Sequence, residues 1–382
     1  MDIKKYFDTA TALAMGVEKQ IGTRGNACAS VFHKCALFAE YQYYVIIKSP
    51  DAVRWKTYMD RKSLEIKQRE SQLLLLRTQL RTSEYSALSA DQKKAQAVLA
   101  EDAEAYKQHN GALFTFLDLA IDMYSRCLAA SDTFDGDVPI RFCSLWFANF
   151  EDQRLQDTLK VAVARIPSRK FVFLSHQLSA RISQSSQDAL PASQQILQGL
   201  VIRMCQEHPF HSLYQVYCIR PEKSGQLSSR RLSSRHEPTL LQAQLDRSSA
   251  ASDIFDRLLG DPRYSTRVKA IEQVCDASIE WARYPIKDNR AIKAVKGSLY
   301  IVPDNLAIRR LRDIQVPVVT SHPAIDATLK YDRCVWISHY DTTFTKPGGV
   351  NFPKVNTCYG SNGEKYKQLV SGWRALDSLH EG

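Results

Sequence analysis

The chain has 382 residues, of which 44% are hydrophobic and 24% charged, and its formal net charge is +10. This balance is typical of a folded protein with room for two or three domains and excludes a chain that is disordered throughout. The leucine run from Leu73 to Leu76 is far too short to cross a bilayer, and no apolar leader follows Met1. We therefore expect a soluble protein without a membrane partner.

The nine cysteines are scattered without a Cys-x-x-Cys pair, which argues against a disulfide framework and favours a reducing compartment. The basic residues are spread over many predicted helices, without a dense Lys/Arg tract interleaved with aromatic residues. A basic nucleic-acid binder, whose affinity would fall steeply as salt rises, is the least favoured function class. We expect any association with DNA to be indirect.

Helical spacing of apolar residues runs from Met1 to about Ile219 and indicates roughly eight helices. One long charged helix is predicted between residues 50 and 83, where an apolar residue recurs every seven positions. Because the matching d positions include Lys62 and Arg69, a single apolar seam is present, which favours an antiparallel helix partner over a free coiled coil. The seam residues are Met59, Ile66, Leu73 and Leu80.

After a turn at 132–137, three further helices are predicted. Phe142, Leu145 and Trp146 share one face of the first. Pro167 ends the second, and Ser168 is expected to cap the third. The apolar residues expected to be buried in the last two are Leu155, Leu159, Ala162, Val163 and Ile166, then Phe171, Leu174, Leu178 and Ile182. Successive helix pairs of roughly 35 to 45 residues predict an α-solenoid.

The composition changes after this helical region. Residues 223–250 are rich in Ser and Arg and poor in large apolar groups, which predicts a disordered loop. Helical spacing returns after residue 251, and from Val316 the pattern alternates with the period of a β-strand. The sequence Gly-Ser-Asn-Gly at 360–363 lies between the last two predicted strands, and Asn-Gly in that place is a strong hairpin signal.

Five motifs together resemble the ATM branch of the phosphoinositide-3-kinase-related protein kinases, large Ser/Thr kinases of DNA-damage signalling and telomere maintenance. Three helical motifs resemble the C-terminal end of that family's FAT region, and two β motifs resemble the start of its kinase small lobe. The motifs, in order, are RFCSLWFAN (141–149), IPSRKFVFLSHQLSARI (166–182), HPFHSLYQVY (208–217), GGVNFPK (348–354) and YGSNGEKYKQLV (359–370).

The resemblance implies a mainly α fold: an α-solenoid of FAT-type helical repeats followed by a small antiparallel β fragment of a kinase N-lobe. The expected organisation is a helical repeat region at 1–222, the loop at 223–250, a helical connector with the first strands at 251–339, and a truncated small lobe at 340–382. The intact family member would be nuclear and would use ATP and Mg²⁺. Its partners would be other proteins and the remainder of the kinase, with a homodimer through the helical region.

By the same resemblance, the loop that covers the nucleotide spans Lys346 to Phe352. Two glycines permit close approach of the backbone to phosphates, and a flanking lysine on each side supplies positive charge. An ordinary β-hairpin with a Pro-Gly-Gly turn is the alternative for this segment taken alone. The expected loop residues are Lys346, Pro347, Gly348, Gly349, Val350, Asn351 and Phe352, with Lys354 as a further phosphate contact.

The position after Gln-Leu-Val, where the family has a lysine that contacts the nucleotide phosphates, is Ser371 in this chain. Beyond Gly372 the sequence departs from the family pattern, and no catalytic loop or metal-binding residues of a large lobe follow. We therefore expect this chain to be inactive alone and its tail to derive from a truncated or misread gene model. The rival function, from another class, is a non-catalytic helical-repeat interaction scaffold with a decayed nucleotide-binding hairpin.

Three other clusters are weighed as sites. Cys205, His208 and His211 lack a second ligand pair, so packing at a solenoid turn is favoured over a metal site. The other two clusters, His33 with Cys35 and Tyr41 with Tyr43 and Tyr44, are expected to fill helix-packing positions.

Overall fold

The computed structural model describes residues 25–78, 82–109, 111–184, 190–221, 238–285, 294–296, 299–347 and 353–371, together with residues 9, 12, 13 and 16. The described residues form a mainly helical fold with a small antiparallel sheet, as predicted. Contacts divide the chain into two compact units, Met1–Pro167 and Ser168–Gly382. The domain boundary near residue 222 remains a prediction. Each helix of the described stretches is too short or too polar to cross a membrane.

Helices make up the first unit. In chain order they are α1 (Asn26–Ile47), α2 (Pro50–Thr78), α3 (Thr82–His109), α4 (Gly111–Ala130), α5 (Val138–Ala148) and α6 (Gln156–Arg165). Helices α1 and α4 share the main core of this unit, because the side chains of Phe32 and Tyr124 are fully buried between them. The Tyr124 hydroxyl donates to Glu40, whose carboxylate also accepts from Arg141 at 3.1 Å.

Helices α2 and α3 form the predicted antiparallel pair. The Tyr58 hydroxyl donates to Asp102 at 2.9 Å, and the Gln92 amide donates to the Ile66 carbonyl at 3.1 Å. The residue later in α2 thus contacts the residue earlier in α3, so the two helices run in opposite directions. Of the predicted seam, Ile66 is buried, Met59 and Leu73 are half-buried, and Leu80 lies outside the described residues.

The predicted faces of α5 and α6 are also confirmed. In α5 the three residues assigned to one face are buried, with Trp146 fully so. In and around α6 the whole predicted apolar stripe is at most 5% exposed. Its members are Leu155, Leu159, Ala162, Val163 and Ile166.

The second unit begins with a 3₁₀ helix, Ser168–Leu174, followed by α7 (Ser175–Ser179), α8 (Ala192–Glu207), α9 (Pro209–Ile219), α10 (Pro238–Gly260) and α11 (Ser265–Arg283). The prediction of a regular α-helix starting at Ser168 was wrong. The aromatic and β-branched run Phe171 to Phe173 has low helix propensity, and Ser168 makes a tertiary hydrogen bond to Glu207. Phe171, Leu178 and Ile182 are nevertheless buried as expected, whereas Leu174 is half-buried.

The prediction of a disordered loop at 223–250 was wrong for the second half of that range. Residues 222–237 lie outside the described residues, but helix α10 begins at Pro238. Proline is well placed there, because the first turn of a helix has no intrahelical use for its missing N–H. The helix is then fixed by an apolar stripe that includes Ala251, Phe255 and Leu258, all at most 1% exposed.

A six-stranded antiparallel sheet completes the second unit. Its strands are β1 (Ala294–Lys296), β2 (Leu299–Ile301), β3 (Arg312–Pro317), β4 (Trp336–Thr345), β5 (Lys354–Gly360) and β6 (Lys365–Val370). The order is β1-β2-β4-β5-β6, and β3 pairs with the first part of β4 beside β2. The strands predicted around Val316, Val335 and the last two motifs therefore lie in one sheet.

The turn between β5 and β6 has the predicted hairpin form. Gly363 has a φ of +79°, the left-handed region that glycine enters without strain. A Cβ on Gly360 would lie 2.4 Å from Cγ1 of Val335, so the backbone there passes too close to its neighbour for a side chain. The turn fixes the register in which Tyr359 pairs with Lys365 and Lys354 pairs with Val370.

Candidate nucleotide-binding hairpin

The segment expected to cover a nucleotide joins β4 to β5. Thr345 pairs with Val355 and Phe344 with Asn356, so the described strands give both ends of the connection. Lys346 and Pro347 follow β4 directly. The central loop residues of the prediction, Gly348, Gly349, Val350, Asn351 and Phe352, lie outside the described residues.

Lys346 lies at the base of this connection. Its ammonium nitrogen is 4.0 Å from the ring centroid of Tyr300 on β2, within range of a cation–π interaction. The Tyr300 ring in turn lies 5.6 Å from the ring of Phe344 on β4. A positive charge is thus held where the hairpin leaves the sheet.

Lys354, expected to contact phosphate, has a different position. Its side chain is 2% exposed, and its ammonium donates to the backbone carbonyls of Trp281, Ala282 (2.9 Å) and Tyr284 (2.8 Å). These carbonyls belong to the C-terminal end of α11, where a helix lacks internal donors and attracts positive charge. The ammonium is committed to the helix end, so the prediction of a phosphate contact by Lys354 was wrong.

The two faces of the sheet differ at this hairpin. On β5, Lys354, Asn356 and Cys358 are buried, whereas the alternate residues are only half-buried. On β6, the partners of those half-buried residues, including Leu369, are exposed. Strand alternation places Ser371, itself exposed, on the same open face as Leu369. The position at which the resemblance predicts a phosphate lysine therefore lies on the face opposite α11.

A row of polar and aromatic side chains crosses this open face and was not predicted. The rings of His339 and Tyr359 are stacked, with centroids 4.4 Å apart and an interplanar angle of 6°. The ammonium of Lys365 lies 5.5 Å from the Tyr359 centroid, and the Tyr359 hydroxyl lies 3.5 Å from Asp341. The Gly360–Gly363 turn sets the register of β5 with β6 and so brings Lys365 opposite Tyr359. The register of β4 with β5, which pairs His339 with Tyr359, contains shifts that no sequence signal indicates.

The cluster of Cys205, His208 and His211, considered above as a metal site, lies at the α8–α9 junction, and both histidines contact other protein groups. His208 Nδ1 lies 2.8 Å from the Tyr331 hydroxyl, and His211 Nε2 lies 3.0 Å from the Pro323 carbonyl oxygen. Burial lowers the pKa of His208 to about 4 and raises the pKa of the Cys205 thiol. Within the described ranges, no three His, Cys, Asp or Glu side chains are grouped to hold a metal ion.

The remaining candidates lie in the first unit, where all but Tyr41 are at least half-buried, so the packing position expected for Tyr41 was wrong. The His33 ring lies 4.3 Å from the ring of Phe134, and burial lowers its pKa. Burial also raises the pKa of the Cys35 thiol. The Tyr43 hydroxyl donates to Asn149 at 3.2 Å, while the neighbouring Tyr41 is 65% exposed.

No family model matches the chain. Among curated proteins it is similar to the serine/threonine-protein kinase TEL1 of Cryptococcus neoformans var. neoformans serotype D, with 32% identity over 346 residues, 89% of this chain and 10% of that protein. It is also similar to the serine-protein kinase ATM of Sus scrofa, with 26% identity over 97% of this chain and 12% of that protein. The chain thus spans about a tenth of the length of these relatives.

Solved structures give the same fold. The structure described as the FAT and kinase domain of CtTel1 superposes with a TM-score of 0.64 and 24% identity, covering 96% of this chain and 22% of that one. The open conformation of CtTel1 gives a TM-score of 0.67 over 97% of this chain and 12% of that one. Over about nine tenths of its length, the chain is therefore homologous to one segment of the Tel1/ATM Ser/Thr protein kinases, with the fold of their FAT region joined to the start of the kinase N-lobe.

Proposed function

We propose that the chain forms part of a nuclear Ser/Thr protein kinase of the DNA-damage response and of telomere maintenance. In this role the helical region is the scaffold, and the β4–β5 hairpin closes over ATP. The observation that carries the proposal is the ordered combination of FAT-type helices with a three-strand β4–β5–β6 meander, in a chain homologous to Tel1 and ATM kinases.

The fit to ATP is partial. Lys346 supplies one cation at the base of the hairpin, and Ser371 lies on the open face where a phosphate-binding lysine is expected. Within the described part of the hairpin the one carboxylate is Asp341, which accepts from the backbone N–H and hydroxyl of Thr343, both at 3.0 Å. Mg²⁺ would therefore be held by residues outside this hairpin, and ATP with Mg²⁺ belongs to the intact kinase. When bound, Mg²⁺ neutralises charge on the transferring phosphate.

The rival function, a helical interaction scaffold that does not bind nucleotide, is favoured by two observations. Ser371 replaces the expected lysine, and the ammonium of Lys354 is engaged by three helix carbonyls. Each removes a cation from the proposed phosphate site. The scaffold would then act through protein contacts of its helices.

Sequencing the transcript across codon 371 and the genomic DNA downstream separates the two functions. An open frame that restores a lysine after Val370 and encodes a catalytic loop supports the kinase. A transcript that continues as written, with no such frame downstream, overturns it and leaves the scaffold.

We also propose that the helical region supports a homodimer. Two solved structures with this fold are described as a complete CtTel1 dimer with C2 symmetry and a Tel1 kinase butterfly symmetric dimer. Sedimentation equilibrium of the chain tests this directly. A concentration-dependent mass of two copies supports it, and a single-copy mass at all concentrations contradicts it.

A further inference from the structure

The base of the candidate nucleotide hairpin is fixed to a single turn of one helix. Lys354, the first residue of β5, contributes three hydrogen-bond donors, and the α11 end offers three carbonyl acceptors to it. Both groups are costly to bury alone, because each loses its contact with water. Paired, they fasten the point at which the loop re-enters the sheet to the end of α11.

The same turn of α11 also holds the strand that enters the loop. Trp281 is fully buried, and its indole N–H donates to Asn356 Oδ1 at 2.8 Å. Its ring meets the Phe344 ring of β4 edge to face at 4.9 Å, and the Lys354 ammonium lies 4.6 Å from its centroid. Displacement of this turn would therefore move both strands of the hairpin together.

Helix α11 also contacts α9, which belongs to the region that resembles FAT. The Tyr217 hydroxyl donates to Asp276, and the guanidinium of Arg220 pairs with Glu272 at 3.2 Å. Asp276 lies little more than one helical turn before Trp281, so the α9 contact and the hairpin contact share one rigid segment of helix.

We propose that Lys354 is a positioning residue that couples helix α9, through α11, to the hairpin expected to cover the nucleotide. A shift of α9 against α11 is then transmitted to the loop ends through the Lys354 and Trp281 contacts. The coupling rests on the proposed function only in naming the hairpin as nucleotide-covering. The mechanical link depends on contacts within this chain alone.

The test measures hydrogen exchange of backbone amides in β4 and β5 of the full chain. Tyr217→Phe removes one hydroxyl at the α9–α11 contact, remote from the hairpin. We expect it to speed exchange in β4 and β5 by about 2- to 30-fold, the range for mutations that alter coupling between sites. Lys354→Met should speed the same amides, and adding Tyr217→Phe to it should then have no further effect on them.

The controls separate transmission from general loss of stability. Lys354→Arg keeps a cationic donor and should restore the response to Tyr217→Phe, and Lys367→Met, at an exposed lysine of the next strand, should leave β4 and β5 exchange unchanged. If the increases in β4 and β5 exchange caused by Tyr217→Phe and Lys354→Met are additive in the double variant, the proposal is overturned. If the Lys354→Met chain does not fold, Tyr217→Phe alone decides, because unchanged β4 and β5 exchange contradicts the coupling.

Nucleotide is absent from these measurements, so the two proposals fail separately. Exchange coupling in a chain whose downstream DNA encodes no catalytic loop contradicts the kinase role and leaves the coupling intact. A downstream frame that encodes the catalytic loop, with no exchange coupling in the chain, supports the kinase role and contradicts the coupling.

Discussion

The Nδ1 atom of His208 lies 2.8 Å from the hydroxyl oxygen of Tyr331, although 123 residues separate the two along the chain. Tyr331 has a φ of +58°, a left-handed conformation that costs free energy for a side chain of this size. Asp326 holds the backbone there by accepting from the Tyr331 N–H at 2.8 Å. The loop before β4 is thus fixed to the start of α9 by a buried polar contact.

Loss of the hydroxyl should weaken this contact measurably. Tyr331→Phe leaves His208 Nδ1 buried without its closest partner, so we expect the free energy of unfolding to fall by about 1–2 kcal/mol. Chemical denaturation followed by the far-ultraviolet signal measures it. In the His208→Gln background, Tyr331→Phe should lower the free energy of unfolding by less. An equal loss in both backgrounds would show that the loss does not come from the His208–Tyr331 hydrogen bond.

Stability of the second unit should fall as pH falls below neutrality. Burial lowers the pKa of His208 to about 4, while the unfolded chain binds a proton near the ordinary value of 6.5. Stability from the neutral imidazole is then complete above about pH 6.5 and is lost progressively towards pH 4. Nearby His211 and Arg169 reinforce the downward shift of this pKa, and Glu207 and Asp326 oppose it.

Denaturation midpoints between pH 4 and pH 7.5 measure this dependence. His208→Gln should flatten the curve, although His211, whose pKa burial also lowers, leaves a residual slope. The matched control is His176→Gln, at an exposed histidine, which should leave the slope unchanged. A His208→Gln chain with the original slope would contradict the assignment.

Gly360 should not tolerate a side chain. An added Cβ would lie 2.4 Å from Val335 Cγ1 and 2.9 Å from the Tyr366 ring, so Gly360→Ala forces the β5–β6 turn to shift. We expect a loss of about 1–3 kcal/mol in the free energy of unfolding. The control is Gly199→Ala in α8, where a Cβ meets no atom within 4 Å and helix propensity predicts a gain of about 0.5–1 kcal/mol. Equal effects at the two glycines would contradict this reading.

The buried carboxylate of Glu40 should stabilise the first unit. Its side chain is 10% exposed and accepts from Arg141 at 3.1 Å and from the Tyr124 hydroxyl. Glu40→Gln removes the charge that satisfies both donors, so we expect a loss of about 1–3 kcal/mol. Glu65→Gln, in a solvent-exposed pair with Lys62, should change stability by less than about 1 kcal/mol. Thermal denaturation of the three chains under one set of conditions gives the comparison.

Restoring a lysine after β6 should strengthen binding of an ATP analogue. Ser371 is exposed and follows Val370 on the open side of the sheet, so Ser371→Lys adds a charged donor where phosphates are expected. One charge-assisted hydrogen bond corresponds to about tenfold in affinity. Fluorescence anisotropy of a labelled analogue measures it, with Ser371→Met as the uncharged control. Equal affinities for the two variants would contradict a phosphate site on this face.

The helices and strands were largely predictable because their signals are local. The apolar stripe from Leu155 to Ile166 has helical spacing, and Asn-Gly at 362–363 predicts a hairpin independently of distant parts of the chain. The helix expected at Ser168 failed because the aromatic and β-branched run beyond it has low helix propensity, while Ser168 bonds to Glu207 on α8.

The role of Lys354 could not be predicted in the same way. A lysine beside a glycine-rich turn has the sequence pattern of a solvent-facing or phosphate-binding cation. Its actual acceptors are the carbonyls of residues 281, 282 and 284, about 70 residues earlier in the chain. The spacing of side chains along the sequence does not indicate which strand the end of a helix will contact. The stacked pair of His339 and Tyr359 could not be predicted either, because the register of β4 with β5 contains shifts that the alternation of side chains does not indicate.

The antiparallel pairing of α2 with α3 has a consequence for the order of assembly. Its hydrogen bonds join residues 22 to 44 positions apart, whereas the Lys354 contacts span 70 to 73 and the His208 contact spans 123. Closing longer loops costs more chain entropy and slows folding. A nascent chain would therefore form this helical pair early, and the sheet would reach its final arrangement among the last events.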